Sequence, residues 1–302
     1  MLRSCSVVIP TTNRPTLGRA VASALAQTGI DLEVLVVMNG SGPSPRFDDP
    51  RVRVLRSDPI GRGNLARQTG IDEAQHDLIA LLDDDDWWDP RKTELQIQAA
   101  EALGLGTDDK WLSITATYRV FDGTPATVVW PTRPFGEITD VAHYLFRRTR
   151  ARTSGQTVQS STFLAPRSFA ATNRFDPSII IHQDWAWAIR AVATNNAKLV
   201  PLSAPLAYRD VSTSSSMTSQ SRWRDSYEWG QTLLSSYPRP LIGDFNLTVP
   251  LPLAASEKDW RGVFWILSRS IGRRSPSFWA SVSAIKAIAV HFARPARLEP
   301  QG

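Results

Sequence analysis

The sequence predicts an α/β protein: a central, mostly parallel sheet covered by helices on both faces, followed by a C-terminal helical extension. Three observations predict it. Over the first hundred residues, short apolar runs alternate with segments of helical period, the pattern of parallel strands joined by crossover helices. The runs, such as "SVVIP" (6–10) and "LIALL" (78–82), are apolar almost throughout, as in strands buried on both faces. Beyond residue 250 strand patterning gives way to helical period with a rising positive charge.

The elements follow in order. After "SVVIP", Pro15 opens a helix in which Leu17, Ala20, Val21, Ala24 and Leu25 recur at i, i+3, i+4, i+7 and i+8. "LEVLVV" (32–37) is a second buried strand, "NGSGPSP" (39–45) a loop and "RVRVL" (51–55) a shorter strand. "GNLARQTGIDEA" (63–74) is helical, with Ala66, Gly70 and Ala74 as a small-residue stripe for close packing. "LIALL" is the next strand, and Pro90 starts a helix to about Leu103. Further on, "KWLSITATYRV" (110–120) reads as a strand, "DVAHYLF" (140–146) as a helix, and "SSTFLAP" (160–166) as a strand leading into a short helix. "HQDWAWAIRAVAT" (182–194) is a helix and "AKLVPL" (197–202) the final strand. The Ser/Thr-rich "DVSTSSSMTSQSR" (210–222) is either a plain connection or a lid that orders over a ligand. The expected organisation is a ligand-binding and catalytic domain over 1–210, a loop and helix over 211–250, and a basic helical region over 251–302.

At 302 residues the chain has room for a full core, and 42% apolar with 21% charged residues is ordinary globular composition. The single cysteine, Cys5, rules out an intrachain disulfide. With no run of membrane-span length and no signal-like start, the expected location is the cytoplasm, peripheral on the inner face of the cell membrane. Net charge +5 favours polyanionic partners. Between Arg261 and Arg297 there are seven basic residues and no acid, interleaved with Phe264, Trp265, Ile271, Phe278, Ile285 and Phe292. Such helices lie on anionic membrane surfaces, pack as a cap on the main domain, or join subunits. No nucleic-acid reading motif accompanies the charge, so nucleic acid is not the expected partner.

The chemistry concentrates at "LLDDDDWWDP" (81–90). Two carboxylates about 6 Å apart repel by roughly 2–3 kcal/mol at an effective dielectric of about 20, so Asp83 to Asp86 need open water or a cation between their apolar flanks. An extended segment places Asp83 and Asp85 on one side and Asp84 and Asp86 on the other. A D-x-D pair at a strand end suits a hard divalent ion, which takes one or two carboxylates plus phosphate oxygens. Residues 10–14, 39–41 and 83–86 all fall at the carboxyl ends of strands, where open α/β sheets bind ligands.

Five stretches, "SVVIPTTNR" (6–14), "EVLVVMNGS" (33–41), "ARQTGI" (66–71), "LLDDDDWWDPRK" (81–92) and "FDPSIIIHQDWAWAIR" (175–190), resemble the successive signatures of family-2 glycosyltransferases of the GT-A (Rossmann-like) fold, in order and near their spacing. The resemblance covers about residues 5 to 210. It implies an inverting sugar transfer from a nucleotide-diphosphate donor to a hydroxyl of a glycan, polysaccharide or lipid-linked acceptor, assisted by Mn²⁺ or Mg²⁺. It places Pro10, Thr11 and Asn13 against the base or ribose, Asn39 at the base edge and Arg67 on the nucleotide. Asp83 falls on ribose hydroxyls, Asp84 near base and ribose, and Asp85 on the metal. Asp86 becomes a helix-entry or outer group, and Asp184 the general base, ahead of the adjacent His182.

Three positions depart from that pattern. Asn39 replaces an aspartate, Gln183 replaces the first acid before Asp184, and Val211 stands where a histidine completes the metal site. These losses keep open a non-catalytic sugar- or polyanion-binding module on the same fold. A nucleotidyltransferase is disfavoured because "PTTNRPTLG" (10–18) lacks a glycine-rich phosphate loop. Arg222 and Arg224 are candidates for diphosphate contacts or plain surface charge. Trp130, Trp185 and Trp187 are candidates for sugar stacking or core packing.

Overall fold

The structure, a computed structural model, describes residues 4–58, 62–121, 124–136, 138–149, 155–211 and 222–293. The chain forms two compact units, residues 1–141 with 155–214, and residues 142–154 with 215–302. The Ser/Thr-rich stretch at 212–221, the candidate lid, lies outside the described residues, as do Arg294 and Arg297.

The first unit is built on one sheet in the order β3-β2-β1-β4-β8-β6-β9-β5, with β7 paired to β6. β1 (Ser4–Thr11) runs parallel to β2 (Asp31–Met38), in register from Ser4↔Asp31 to Thr11↔Met38, and parallel to β4 (Leu78–Leu81); β2 is parallel to β3 (Val52–Arg56). The near-continuous apolar runs are buried as expected: Val7, Val8, Ile9 and Leu35 have no exposed surface. Beyond β4 the directions mix. β8 (Leu164–Pro166) is antiparallel to β4 and to β6 (Trp111–Phe121), whereas β6 is parallel to β9 (Lys198–Asp210). β5 (Asp86–Trp88) and β7 (Thr124–Trp130) add antiparallel edges.

Helices α1 (Leu17–Leu25), α2 (Arg62–Glu73), α3 (Lys92–Glu101), α5 (Arg167–Thr172) and α6 (Gln183–Ala193) belong to this unit. α1 buries Leu17, Ala20, Val21 and Ala24, the face its period predicts. Ala66 and Gly70 on α2, with Ala74 just past its end, are buried as the expected packing stripe: a methyl group added at Gly70 would collide with Val8 and come within 3.2 Å of Val37.

Three expectations are corrected. The last strand does not stop at residue 202 but continues to Asp210, so Tyr208 and Arg209 lie within it. Pro205 disguises its second half. Pairing with β6 shifts register between Thr115 and Thr117, and these irregularities accommodate Pro205 and its neighbours without a broken ladder. "SST" (160–162) is a 3₁₀ turn rather than strand, with extended structure only from Leu164. β5 and β7 were not anticipated, the first because three residues carry no measurable period.

The second unit holds all but the first residue of α4 (Val141–Phe146), with α7 (Trp223–Leu233), α8 (Arg239–Thr248), α9 (Pro250–Ser256), α10 (Trp260–Arg274) and α11 (Phe278–Ala293). Its core gathers Trp223, Leu247, Leu251, Val263, Ile266, Ala280 and Ala284. Asp244 of α8 is fully buried and accepts from Arg147 Nη1 (3.0 Å), the Arg148 N–H (3.0 Å), the Ser277 N–H (2.6 Å) and Ser277 Oγ (3.0 Å). A buried carboxylate with this many donors is compensated, and it ties α8 to the segments after α4 and before α11.

Gly70→Ala should lower the unfolding free energy by about 1–3 kcal/mol through overpacking against Val8. Gly18→Ala, where nothing lies within 4 Å of the added carbon, should stay within about 0.5 kcal/mol of wild type in the same urea titration.

Lys92 generates a second prediction. Its Nζ is fully buried, donates to Gln96 Oε1 (2.8 Å) and sits 4.1 Å from the Trp88 ring centroid; burial pulls its pKa down to about 7. Above pH 7 the native lysine has lost a proton that the unfolded chain keeps up to about pH 10.4, so unfolding free energy should rise with pH. Cys5, pushed up to about 12 by burial, opposes this slope above about pH 8.5, where the unfolded thiol ionises. The rise should therefore appear between pH 7 and about 8.5 and vanish in Lys92→Met.

Candidate active site

The carboxyl ends of β1, β2 and β4 bring together the three loops expected at the site. After Leu82 the chain turns, and the Asp86 N–H donates to the Asp83 carbonyl (3.1 Å). The four aspartates are therefore not an extended run, and the expected two-sided alternation is overturned. Carboxylate oxygens of Asp83, Asp85 and Asp86 all lie within 4.8 Å of one another, while Asp84 alone accepts from Thr11 Oγ1 (2.6 Å). Asp86, expected as a helix-entry or outer group, stands at no helix entry: it begins β5 and accepts from Ser161 Oγ (2.6 Å). A turn brings residues together that an extended chain would separate by face.

The protein compensates this charge unevenly. Arg67 Nη2 pairs with Asp83 (2.6 Å), and Ser160 Oγ donates to the same carboxylate (3.1 Å). Burial raises the Asp83 pKa, but Arg67, Ser160 and Arg209 outweigh it and hold the group below its ordinary value. Arg14 Nη1 lies 2.8 Å from Asp85 and 3.5 Å from Asp84. Even so, burial first and the Asp83 charge second push Asp85 up. Asp86 is pushed well up by burial and by Asp85 and Asp83, and Asp84 is raised chiefly by burial. Protein cations thus leave the cluster short of positive charge. Three clustered hard oxygen donors with that deficit fit a divalent cation such as Mn²⁺ or Mg²⁺.

Asp184 lies in the first turn of α6, and its carboxylate accepts from the Ser160 N–H (3.1 Å). Ser160 thereby joins Asp184 to Asp83, its amide on one and its hydroxyl on the other. Burial pushes the Asp184 pKa up; Arg67 pulls it back and Asp83 adds to the rise. His182, before the helix, adopts a left-handed backbone (φ 60°) and stacks on Trp185 with centroids 4.5 Å apart. Burial lowers its pKa to about 3, which leaves it neutral and a weak base at pH 7. α2 positions the approach to α6: Asn64 Nδ2 donates to the carbonyls of Asp176 (2.7 Å) and Ile179 (2.9 Å), and Gln68 Oε1 accepts from the Phe175 N–H (3.0 Å).

Of the remaining expected residues, Pro10 is buried in β1 and Thr11 is committed to Asp84. Asn13 takes a left-handed conformation (φ 67°), its N–H donating to Thr11 Oγ1 (2.8 Å). Asn39, with its amide oriented to satisfy both neighbours, donates to the Thr11 carbonyl (2.7 Å) and accepts from the Gly63 N–H (3.1 Å). Val211 extends the β6 pairing through its N–H to the Val120 carbonyl (3.0 Å) and has no side-chain ligand to offer. Trp187 is core, packed among Phe163, Phe169 and Phe175. Arg224 pairs with Asp259 (3.3 Å) and Arg222 with Asp225 (3.8 Å) within the second unit. Ser160, Ser161 and Arg14 are site residues that sequence reasoning missed. Arg14 stood inside a quoted signature without a role, and the serines carried no signal beyond their polarity before an apolar strand.

The family model described as "Glycosyl transferase family 2" matches residues 6–175. Amylovoran biosynthesis glycosyltransferase AmsB of Erwinia amylovora is 32% identical over 164 residues, 54% of this chain and 52% of AmsB. UDP-Glc:alpha-D-GlcNAc-diphosphoundecaprenol beta-1,3-glucosyltransferase WfgD of Escherichia coli is 33% identical over 98 residues, 30% of this chain and 39% of WfgD. The chain spans about half the length of AmsB, and less of WfgD. Among solved structures, S. aureus TarS 1-349 in complex with UDP-GlcNAc superposes with a TM-score of 0.62 at 13% identity, over 96% of this chain and 89% of that one. At that identity the likeness shows the fold alone, the GT-A architecture expected from the sequence. With the signatures in order, the acidic loop at the strand ends and a family match over more than half of its length, this chain belongs to glycosyl transferase family 2.

Proposed function

We propose that the protein is an inverting glycosyltransferase that moves a sugar from a nucleotide-diphosphate donor to an acceptor hydroxyl, with Asp184 as general base. The observation that carries this reading is the Ser160 bridge, which holds Asp184 beside Asp83 of the acidic cluster. The acceptor O–H gives its proton to Asp184 as its oxygen attacks the anomeric carbon. The bond to the donor diphosphate breaks in the same displacement, its electrons leave with the diphosphate, and the anomeric centre inverts. Burial, which raises the Asp184 pKa, suits a base for this task. The nucleotide rests on the strand ends, with Pro10, Thr11, Asn13 and Asn39 at the base and ribose side and Arg67, Asp83 and Asp84 around them.

Asp85 would hold a divalent cation with Asp83 and Asp86 beside it. When bound, that ion supplies Lewis-acid stabilisation of the charge on the departing diphosphate. The names of the relatives, an amylovoran-biosynthesis enzyme and a transferase acting on a diphosphoundecaprenol-linked sugar, favour a polysaccharide precursor as acceptor. The UDP-GlcNAc bound to TarS favours a uridine donor.

We assign an anionic membrane surface to the second unit. No described helix is long and apolar enough to cross a membrane. Yet Phe264 and Ile271 on α10, and Phe278, Ile285 and Phe292 on α11, are each 60–77% exposed and recur every seven residues, two turns apart along one line of each helix. Exposed Arg261, Arg269 and Lys286 accompany them, without acids. A lipid surface takes both features, apolar rings into the acyl boundary and cations onto headgroups, and places the enzyme peripherally on the cytoplasmic face.

Asp184→Asn should retain nucleotide binding with Mn²⁺ and lose transfer by about 10²–10⁴-fold. Asp85→Ala should lose the metal-dependent part of nucleotide binding. In wild type, the acid limb of kcat/KM should fall above the ordinary aspartate value of about 3.9, because the base must be deprotonated and its pKa is raised. Transfer by Asp184→Asn at the wild-type rate would refute the base assignment.

For the membrane, wild type should float with phosphatidylglycerol vesicles and stay down with neutral ones. Phe264→Ser/Phe278→Ser/Ile285→Ser should stay down with both; flotation equal to wild type would exclude these helices as the contact.

A further inference from the structure

Helix α3 buries side chains that packing alone would not choose. Lys92 and Gln96, one turn apart on its inner face, have no exposed surface, which costs free energy unless their polar atoms find partners. Gln96 finds three. Its Oε1 accepts from Lys92 Nζ (2.8 Å), and its Nε2 donates to Ser113 Oγ on β6 (3.0 Å) and to the Thr162 carbonyl (2.9 Å). The amide can lie only this way round, because a carbonyl accepts and never donates, so Oε1 cannot face Thr162.

Thr162 ends the 3₁₀ turn that serves the site. Its N–H and its Oγ1 both donate to the Gln159 carbonyl, at 3.0 and 2.7 Å. That carbonyl shares one rigid peptide plane with the Ser160 N–H, which donates from the opposite side to Asp184 (3.1 Å). Holding one end of a planar group aims the other. Hydrogen bonds thus run without a break from Lys92 through Gln96, Thr162 and the Gln159–Ser160 peptide to the Asp184 carboxylate. Trp88 steadies the same turn, its Nε1 on the Ser161 carbonyl (2.6 Å) and its ring centroid 4.1 Å from Lys92 Nζ.

We propose that Gln96, its amide oriented by Lys92, is a positioning residue for the base: through Thr162 it aims the Ser160 N–H at Asp184. The word base rests on the transferase reading; the coupling of Gln96 to Asp184 does not. Besides this amide, Arg67, Asp83 and Arg209 act on the Asp184 charge, and among the described residues Gln96 bonds to none of them. A change at Gln96 therefore reaches Asp184 by way of the turn.

The test follows Asp184 in the full chain by ¹³C NMR of labelled aspartate carboxyls, its signal being identified by loss in Asp184→Asn. Gln96→Met keeps the length and removes the donor. The Asp184 titration midpoint should then rise by about 0.5 pH unit or more, since an N–H donor favours the charged form. Ser113→Ala removes a partner of the same Nε2 but spares the Thr162 bond, and its midpoint should stay within about 0.2 unit of wild type. In Gln96→Met the acid limb of kcat/KM should rise with the midpoint, while UDP affinity stays within twofold. If Gln96→Met does not fold, Thr162→Val, which deletes the Oγ1 bond to Gln159, should move the midpoint in the same direction. The proposal is overturned if the midpoint is unchanged in the folded variants. It is also overturned if Ser113→Ala moves the midpoint as far as Gln96→Met, which would make general loosening of the core the cause. If the midpoint rises but wild type transfers no sugar, the transferase reading falls and the coupling stands.

Discussion

Carboxylate oxygens of Asp83, Asp85 and Asp86 lie within 4.8 Å of one another at the end of a buried strand, and the rest of the site is arranged around that repulsion. Burial strengthens every charge–charge interaction there, so the fold must surround the cluster with donors or let the acids keep their protons. It does both. Asp83 is the member with a close cation and hydroxyl donor, and it stays ionised most readily; Asp85 and Asp86 are left with raised proton affinity. A bound divalent cation would reverse that balance, because it favours the deprotonated form of every ligand. Metal affinity at this site is therefore expected to be coupled to pH.

The 3₁₀ turn Ser160–Thr162 is the hinge of this arrangement. Its first serine serves Asp83 and Asp184, and its second donates to Asp86 and accepts from the Asp83 N–H (3.1 Å). Trp88 Nε1 donates to the Ser161 carbonyl (2.6 Å), so the tryptophan that follows the aspartates anchors the turn that supports them. The apolar flanks of the acidic loop have a physical reason. Leu81 and Leu82 end a buried strand, and Trp88 closes the loop back onto its own donors.

Much of this was legible in the sequence. The strands β1, β2 and β4 and the helices α1 and α2 follow from period alone, and period places the ends of the three strands together. What it could not give was the shape of four consecutive aspartates. Alternation is the correct inference for an extended chain, and it failed at Asp86 because a turn reverses the backbone there. Strand β9 was expected to end at residue 202 for a related reason: Pro205 just beyond it reads as a break, yet irregular pairing with β6 absorbs it. Lys92, buried beside Trp88, had no signature at all, since only the tertiary structure decides whether a helix lysine faces water.

The departures from the family pattern follow the same geometry. Asn39 spends both ends of its amide on backbone, joining the end of β1 to the start of α2, so the loss of a charge there has a structural use. Val211 offers no ligand, but the residue two places earlier is Arg209, whose positive charge already reaches all three clustered aspartates and Asp184. That guanidinium takes over part of the charge balance but fills no coordination position. It also weakens metal binding by repulsion, while the turn that brings Asp86 to Asp85 adds a carboxylate that the alternating reading would have sent to the other face. In the proposed metal site Asp86 would stand in for the absent histidine, and its hydrogen bond to Ser161 would fix the orientation in which it did so.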